Sequence, residues 1–268
     1  MADRPNSGTD SGLRTTQQAR GLVKHYALWF LLIESDFRGA SLNRLVAGMV
    51  KPGRILDAGC GTGGLTAELL RRGHQVVSLD DSPEMIAMCR QHLSKQGLPS
   101  DQVRLAKVEE LSNAGEFDTA ICLDVIEHIE DDRQALANLR RCLKSDGRLI
   151  LSVPALSSLY GPKDRAVGHY RRYDKRALLA LLQGCGFAVE RARYWNALGL
   201  LPVWASVKLF KKRLPEDFRY SGRSPLKQAL NTALRLWFTG VENRIPWPLG
   251  LTLIVCARPS SISPSSTA

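Results

Sequence analysis

No apolar run in this 268-residue chain reaches the roughly 20 residues that a membrane-spanning helix needs. The longest, "YALWFLLI" (26–33) and "ALGLLPVWASVKLF" (197–210), fall short of that length, so the sequence is expected at most to lie on a bilayer. Cysteine is scarce and scattered. Cys60, Cys89, Cys122, Cys142, Cys185 and Cys256 form no CxxC pair and have no histidine at zinc-ligand spacing, which excludes a disulfide framework and gives no sequence signal for a metal site. A secretory leader is also missing from the polar, turn-rich start "MADRPNSGTDSG", so a reducing cytoplasmic setting is expected, with peripheral membrane contact left open. Internal repeats are absent.

Charge is abundant but uneven. Residues 1–139 hold 15 Lys+Arg against 19 Asp+Glu, a net −4, while residues 140–268 hold 22 against 7, a net +15 of the total +11. The second half is therefore expected to face something anionic: a phosphorylated small molecule, a membrane surface or RNA. At 44% hydrophobic and 24% charged residues, the composition is that of a folded globular protein.

Along the chain, residues 1–14 and 259–268 read as disordered tails. Apolar positions at helical spacing over 15–50 predict a helical cap ahead of the first strand. From residue 54 strand and helix alternate. Strands are expected at 54–58, 75–79, 103–107, 118–123 and 147–153, with helices near 63–72, 83–96 and 131–143; this rhythm predicts a parallel sheet covered on both faces. "DKRALLALLQGCGF" (174–187) reads as a helix capped by Asp174, followed by a sixth strand and, after an intervening basic, amphipathic helical insert at 196–249, a last strand at 250–258. The core between cap and insert spans 51–195.

The most informative stretch is "ILDAGCGTGG" (55–64), an apolar run and an acid followed by closely spaced glycines. A strand running straight into such a turn lets backbone approach a ligand closely. Gly59, Gly61 and Gly64 also fit the G-x-G-x-x-G dinucleotide pattern. Asp57, however, would repel a pyrophosphate and welcome an ammonium. A second strand, in "VVSLDDSPEMI", ends at Asp80, about 20 residues on, where a carboxylate can accept both ribose hydroxyls. Ribose and ammonium without pyrophosphate point to S-adenosylmethionine.

With "FDTAICLDVIEHIEDD" (117–132) following in order and spacing, the chain resembles the class I S-adenosylmethionine-dependent methyltransferases from about residue 50 to 195. That resemblance implies an α/β, Rossmann-like seven-stranded, mostly parallel sheet with helices on both faces. It also implies S-adenosyl-L-methionine as cofactor, with contacts from Asp57, Gly59, Cys60, Gly61, Gly63, Asp80, Asp81, Met85, Val108, Glu109, Leu123 and Asp124. Asp57 would orient the ammonium, and Asp80 would hold the ribose. Two positions depart from the family pattern: Lys107 stands where many relatives carry an Asp toward adenine, and Asp81 where an apolar residue usually packs on it.

The stretch "LDVIEHIEDD" is similar to that of ubiquinone-biosynthesis O-methyltransferases. His128 has the pKa range for taking a proton near neutrality, and His169, in the aromatic and basic segment "YGPKDRAVGHYRRYDKR" (160–176), joins it as a candidate catalytic residue. Glu127, Tyr160, Tyr170, Arg171, Arg172 and Tyr173, with Tyr26 of the cap, are the candidate substrate contacts. The opposing reading pairs Arg171 and Arg172 with Asp164 or Asp174 to fix the loop. The expected acceptor is a small or lipid-like molecule with an anionic group, methylated first of all on oxygen. The runner-up is an RNA methyltransferase, favoured by the basic second half alone; a nucleic-acid partner is disfavoured because no Asn-Pro-Pro-Tyr, Asp-Pro-Pro-Tyr or Pro-Cys segment occurs. A non-catalytic scaffold or membrane-binding module with the same fold is the alternative from a different class.

Overall fold

The computed structural model describes residues 37–112, 114–205, 207–208 and 225–260. Residues 1–36, including Tyr26, residues 206 and 209–224 of the insert, and residues 261–268 lie outside the described residues. The tail expected from residue 259 does not start there: Pro259 ends the last strand, and Ser260 N donates to Gly186 O at 2.8 Å.

A helix, α1 (Phe37–Ala47), precedes β1 (Arg54–Ala58), α2 (Gly64–Arg71), β2 (Gln75–Asp80), α3 (Pro83–Lys95), β3 (Val103–Leu105) and β4 (Phe117–Leu123). The chain continues through α4 (Asp132–Cys142), β5 (Leu143–Pro154), a short α5 (Pro162–Ala166), α6 (Lys175–Gly184), β6 (Phe187–Trp195), α7 (Leu200–Ala205), α8 (Pro225–Trp237) and β7 (Thr252–Pro259). The seven strands form one sheet in the order β3-β2-β1-β4-β5-β7-β6. Pairs from β3 through β5 are parallel, and β7 runs antiparallel between β5 and β6. The expected seven-stranded, mostly parallel sheet is the one observed.

The central strands β1, β2 and β4 and the second half of β5 are largely buried because both faces are covered, whereas β3 and β6 at the edges carry exposed polar positions. Side chains alternate across the pleat, so Leu56 enters a core with Phe117, Leu136, Leu139, Leu178 and Leu182, and its neighbour Ile55 enters a second core with Leu42, Val46, Leu65, Leu69 and Trp195. Truncating a fully buried leucine such as Leu56 removes about 2–5 kcal/mol.

Local signals place the helix starts. Ser82 caps α3 by accepting from Met85 N at 3.2 Å, with Pro83 in the first helical position. Asp131 does the same for α4 through Gln134 N at 3.0 Å. Asp174, expected to cap α6, turns away from its own helix and accepts from Ser157 N at 3.0 Å. The expected helix at 131–143 ends one residue early, and the chain enters β5 directly, across a register shift between Phe117 and Thr119. Segment α5 is a helical turn within what reads in sequence as a plain loop.

The insert is tied to the sheet by buried polar groups. Arg193 on β6, 4% exposed, donates to the carbonyls of Glu242 at 2.6 Å, Asn243 at 2.8 Å and Ile245 at 2.8 Å. Glu242, fully buried, accepts from Ala197 N at 3.0 Å and Trp237 Nε1 at 3.1 Å. These bonds seat the end of α8 against α1 and β6, where Phe238 packs on Trp195 with ring centroids 5.1 Å apart.

Candidate functional site

The carboxyl ends of β1, β2, β4 and β5 lie side by side, and the turns that follow them build one site. In the turn after β1, Gly59, Gly61 and Gly63 have φ of +81°, +51° and +82°, the left-handed region that glycine enters without cost. The three have different surroundings. A Cβ at Gly59 would stand 2.2 Å from Val125 Cγ2, and one at Gly63 would stand 2.5 Å from Cys89 Sγ, so both glycines let the protein pack on itself. A Cβ at Gly61 would meet nothing within 4 Å. Only there does the missing side chain open onto space where a ligand can lie.

Gly61 N–H also donates to Asp80 Oδ2 at 2.9 Å, and Ser82 N–H donates to Oδ1 at 3.0 Å. The Asp80 carboxylate is thus aimed by two backbone donors, and each oxygen retains capacity for a hydroxyl. Burial raises its pKa against those two hydrogen bonds. Asp57, 2% exposed, accepts from Thr66 Oγ1 at 2.7 Å, and that hydroxyl lies 2.9 Å from Ser78 Oγ. Burial pushes the Asp57 carboxyl up to about 6. An approaching ammonium would offset that penalty by favouring the ionised form.

Other expected cofactor positions receive more specific roles. The side chain of Cys60 is buried with Cys89, Ile86 and Leu93, so only its backbone, which donates to Leu79 O at 2.8 Å, faces the turn. Asp81 is exposed, Met85 half-buried and Leu123 half-buried. Val108 is buried, and its carbonyl with that of the exposed Glu109 accepts from Asn138 Nδ2, at 3.2 Å and 2.6 Å. Lys107 is exposed and pairs with Glu110 at 3.8 Å. Its ammonium is accounted for on the surface.

Opposite the glycine turn, β4 ends at Asp124, whose φ of +53° is a strained value for a non-glycine residue. Backbone and side chain both hold it there: Asp124 N donates to Ser152 O at 3.0 Å, and Ser152 Oγ donates to Asp124 Oδ1 at 2.9 Å. Glu127, in the next turn, is fully buried, and neither carboxylate oxygen has a hydrogen-bond partner. Burial, reinforced by Asp124, raises its pKa well above the usual range.

Exposed His128 follows. Partial burial of its ring, and then the proximity of His169, hold its pKa below the ordinary value. The two rings meet edge to face with centroids 4.6 Å apart. One ligand-type atom from each of Glu127, His128 and His169 lies within 4.8 Å of the others, a carboxylate and two imidazoles of the kind that can hold a divalent ion. The fold assembles from two loops a donor set that sequence spacing gave no reason to expect.

In the loop after β5 several of the expected substrate contacts have partners within the protein. Arg171 Nη1 pairs with Asp132 Oδ2 at 2.9 Å, and its Nη2 donates to Glu130 O at 2.7 Å. Arg172 Nε pairs with Asp164 Oδ1 at 2.8 Å, and Tyr173, 5% exposed, donates its hydroxyl to Asp132 Oδ2 at 2.9 Å. All three have polar groups engaged within the protein: Arg172 meets Asp164, a pair that the loop-fixing reading named, whereas Arg171 and Tyr173 meet Asp132, which it did not. Tyr160 donates to His169 O at 2.8 Å, and Tyr170, 53% exposed, remains open to a ligand.

Next to this loop lies an apolar pocket of about 320 Å³ lined by Leu156, Leu159, Leu200, Leu201, Trp204 and Leu249. Among the described residues no helix is long and apolar enough to cross a membrane.

Comparison with known proteins places this geometry in context. Residues 56–151 match the family model described as a methyltransferase domain. A ubiquinone biosynthesis O-methyltransferase of Xanthomonas euvesicatoria pv. vesicatoria (strain 85-10) is 33% identical over 152 residues, which cover 51% of this chain and 63% of that protein. Its namesake from Xanthomonas campestris pv. campestris (strain B100) is 37% identical over 117 residues, 41% of this chain and 47% of that protein. The chain thus spans about half to two thirds of the length of the curated relatives it matches. Among solved structures, the Burkholderia thailandensis 1,6-didemethyltoxoflavin-N1-methyltransferase with bound S-adenosylhomocysteine aligns over 97% of this chain and 93% of its own, with TM-score 0.55 and 22% identity. The YcgJ protein of Bacillus subtilis aligns over 84% and 99%, with TM-score 0.56 and 17% identity. Both share the fold.

Proposed function

We propose that this chain, whose residues 56–151 form a domain of the methyltransferase family on the class I fold, binds S-adenosyl-L-methionine in the Gly61 and Asp80 cradle and transfers its methyl group to a small or lipid-like acceptor. The observation that carries the reading is the pairing of open space at Gly61 with a carboxylate aimed by backbone at Asp80. Asp57 lies behind the same turn, where a ligand ammonium would favour its ionised form. When bound, the cofactor supplies an electrophilic methyl group; the protein's part is to align an acceptor with it and keep the approach in line.

Asp124, Glu127, His128 and His169 form the acceptor side, across from the cradle. Oxygen is the first candidate for the methylated atom, because two imidazoles at that wall can take a hydroxyl proton and because the curated relatives are named O-methyltransferases. The apolar pocket beside the loop supports a greasy acceptor, and exposed Leu201 and Trp204 at its rim support contact with a membrane surface. The anionic character of the acceptor rests on the charge of the second half, since Arg171 and Arg172 are paired within the protein.

Calorimetric titration of the purified protein with S-adenosylhomocysteine, repeated on Asp80→Ala, tests the donor site. Micromolar binding that weakens at least tenfold in the variant is expected. A folded wild-type protein that binds nothing, or a variant that binds as well as wild type, would overturn the reading.

A further inference from the structure

Asp164 stands outside every sequence-derived role except loop fixing, yet its position relative to His169 is unusually determined. It is 2% exposed on the short α5 turn. Its Oδ2 accepts from Gly161 N at 2.9 Å, and its Oδ1 accepts from Arg172 Nε at 2.8 Å and lies 3.1 Å from His169 Nδ1. His169 is clamped on the backbone as well: its N–H donates to Asp164 O at 2.9 Å, and its carbonyl accepts from Tyr160 Oη at 2.8 Å. Ring and main chain are thus fixed together, with the imidazole edge-on to His128.

We propose that Asp164 is a positioning residue that holds His169 as the Nδ1–H tautomer, so that Nε2 is the nitrogen whose lone pair the ring presents to the acceptor side of the site. This rests on reading the wall of Glu127, His128 and His169 as the acceptor side of the site. The tautomer follows from donor and acceptor chemistry. A carboxylate ionised beside a guanidinium has no proton to donate, so the proton between Asp164 and His169 belongs to Nδ1. Burial alone would raise the Asp164 carboxyl, but the hydrogen bonds from His169 and Arg172 outweigh it and hold the group at about 2, ionised at all working pH values.

With Nδ1 committed to the carboxylate, Nε2 is the ring nitrogen whose lone pair remains. Holding the loop does not require this bond, because the Asp164 contacts to Gly161 and Arg172 and the Tyr160 hydroxyl already do so.

The test reads the tautomer directly. Long-range proton–nitrogen correlation NMR on ¹⁵N-labelled protein saturated with S-adenosylhomocysteine, with His169→Gln identifying the signals, reports which ring nitrogen carries the proton at a pH where the ring is neutral. The wild type is expected to show a single tautomer protonated on Nδ1. Asp164→Asn is expected to shift the proton to Nε2 or to average the two nitrogens, while Tyr160→Phe, which removes a loop bond to the His169 carbonyl without touching the Asp164 carboxylate, leaves the wild-type pattern. A wild type averaged or protonated on Nε2, or an Asp164→Asn spectrum identical to wild type, overturns the assignment. Where Asp164→Asn does not fold, the wild-type spectrum decides alone: Nδ1–H supports the proposal, and any other pattern sinks it. Loss of S-adenosylhomocysteine binding is a separate result, which strikes the donor site and leaves the tautomer measurable in the unliganded protein.

Discussion

The turn after β1 and the loop after β5 face each other across the β4 loop, yet they are held by different means. In the turn, neighbours in sequence and the adjacent strand do the work: left-handed glycines, two backbone donors to Leu79 O, and Asp80 bonded to Gly61 and Ser82. In the loop, residues 160–174 are held by ion pairs and hydrogen bonds reaching back to Asp132, Glu130 and Ala155. The cradle is rigid by backbone geometry, and the opposite wall by side chains that must all be present together. The division lets the loop change its pairing without disturbing the turn.

Substitutions can separate the two regions. The largest effect is expected at Gly59→Ala, where an added Cβ meets Val125 at 2.2 Å in a left-handed conformation; about 3 kcal/mol of stability should be lost in urea unfolding. A milder result would mean that Val125 relaxes away from the turn.

Asp57 gives an effect of similar size with a sign set by pH. Its carboxyl sits at about 6 in the folded protein against an ordinary 3.8, so the folded state holds the proton more tightly. Its contribution therefore favours folding fully below pH 3.8 and is lost as pH rises to about 6. Asp57→Asn should abolish that decline, worth about 3 kcal/mol. Unfolding curves of both proteins across this range check it, and parallel pH profiles would refute it.

On the loop side, Arg171→Ala leaves Asp132, whose side chain is 12% exposed, without its cation and should cost about 2 kcal/mol while S-adenosylhomocysteine affinity stays unchanged. Unaltered stability would instead free Arg171 for substrate. Gly61→Ala is the counterpart: open space limits the stability loss to about 1 kcal/mol of backbone strain, but cofactor affinity should fall sharply by calorimetry. The smallest effect belongs to Lys107→Ala, expected within about 0.5 kcal/mol and without change in cofactor binding, because the side chain is exposed and paired only with Glu110.

The turn after β1 was legible because its signals are short in sequence. Asp57, Gly61 and Asp80 are tied to strand ends, and a strand end followed by a glycine turn has few ways to fold. The loop after β5 was legible in composition but not in wiring. Nothing in "GHYRRYD" says that Arg171 meets Asp132 or that Tyr173 turns inward to the same carboxylate. The +15 charge of the second half misled in part for the same reason, since Arg193 is a buried brace for the insert. The spacing of Asp164 and His169, five residues apart with a helical turn between, was the one signal that could have suggested their pairing.

By itself, then, the sequence determined the succession of strands and helices and the glycine turn after β1, because apolar periodicity and glycine torsions act over a few residues. Only the tertiary structure decided which glycine opens onto free space, which charges are internal, and that Glu127, His128 and His169 converge. Those are distances between segments remote in the chain, and they arise when both faces of the sheet are covered and the loops at its carboxyl end are packed together.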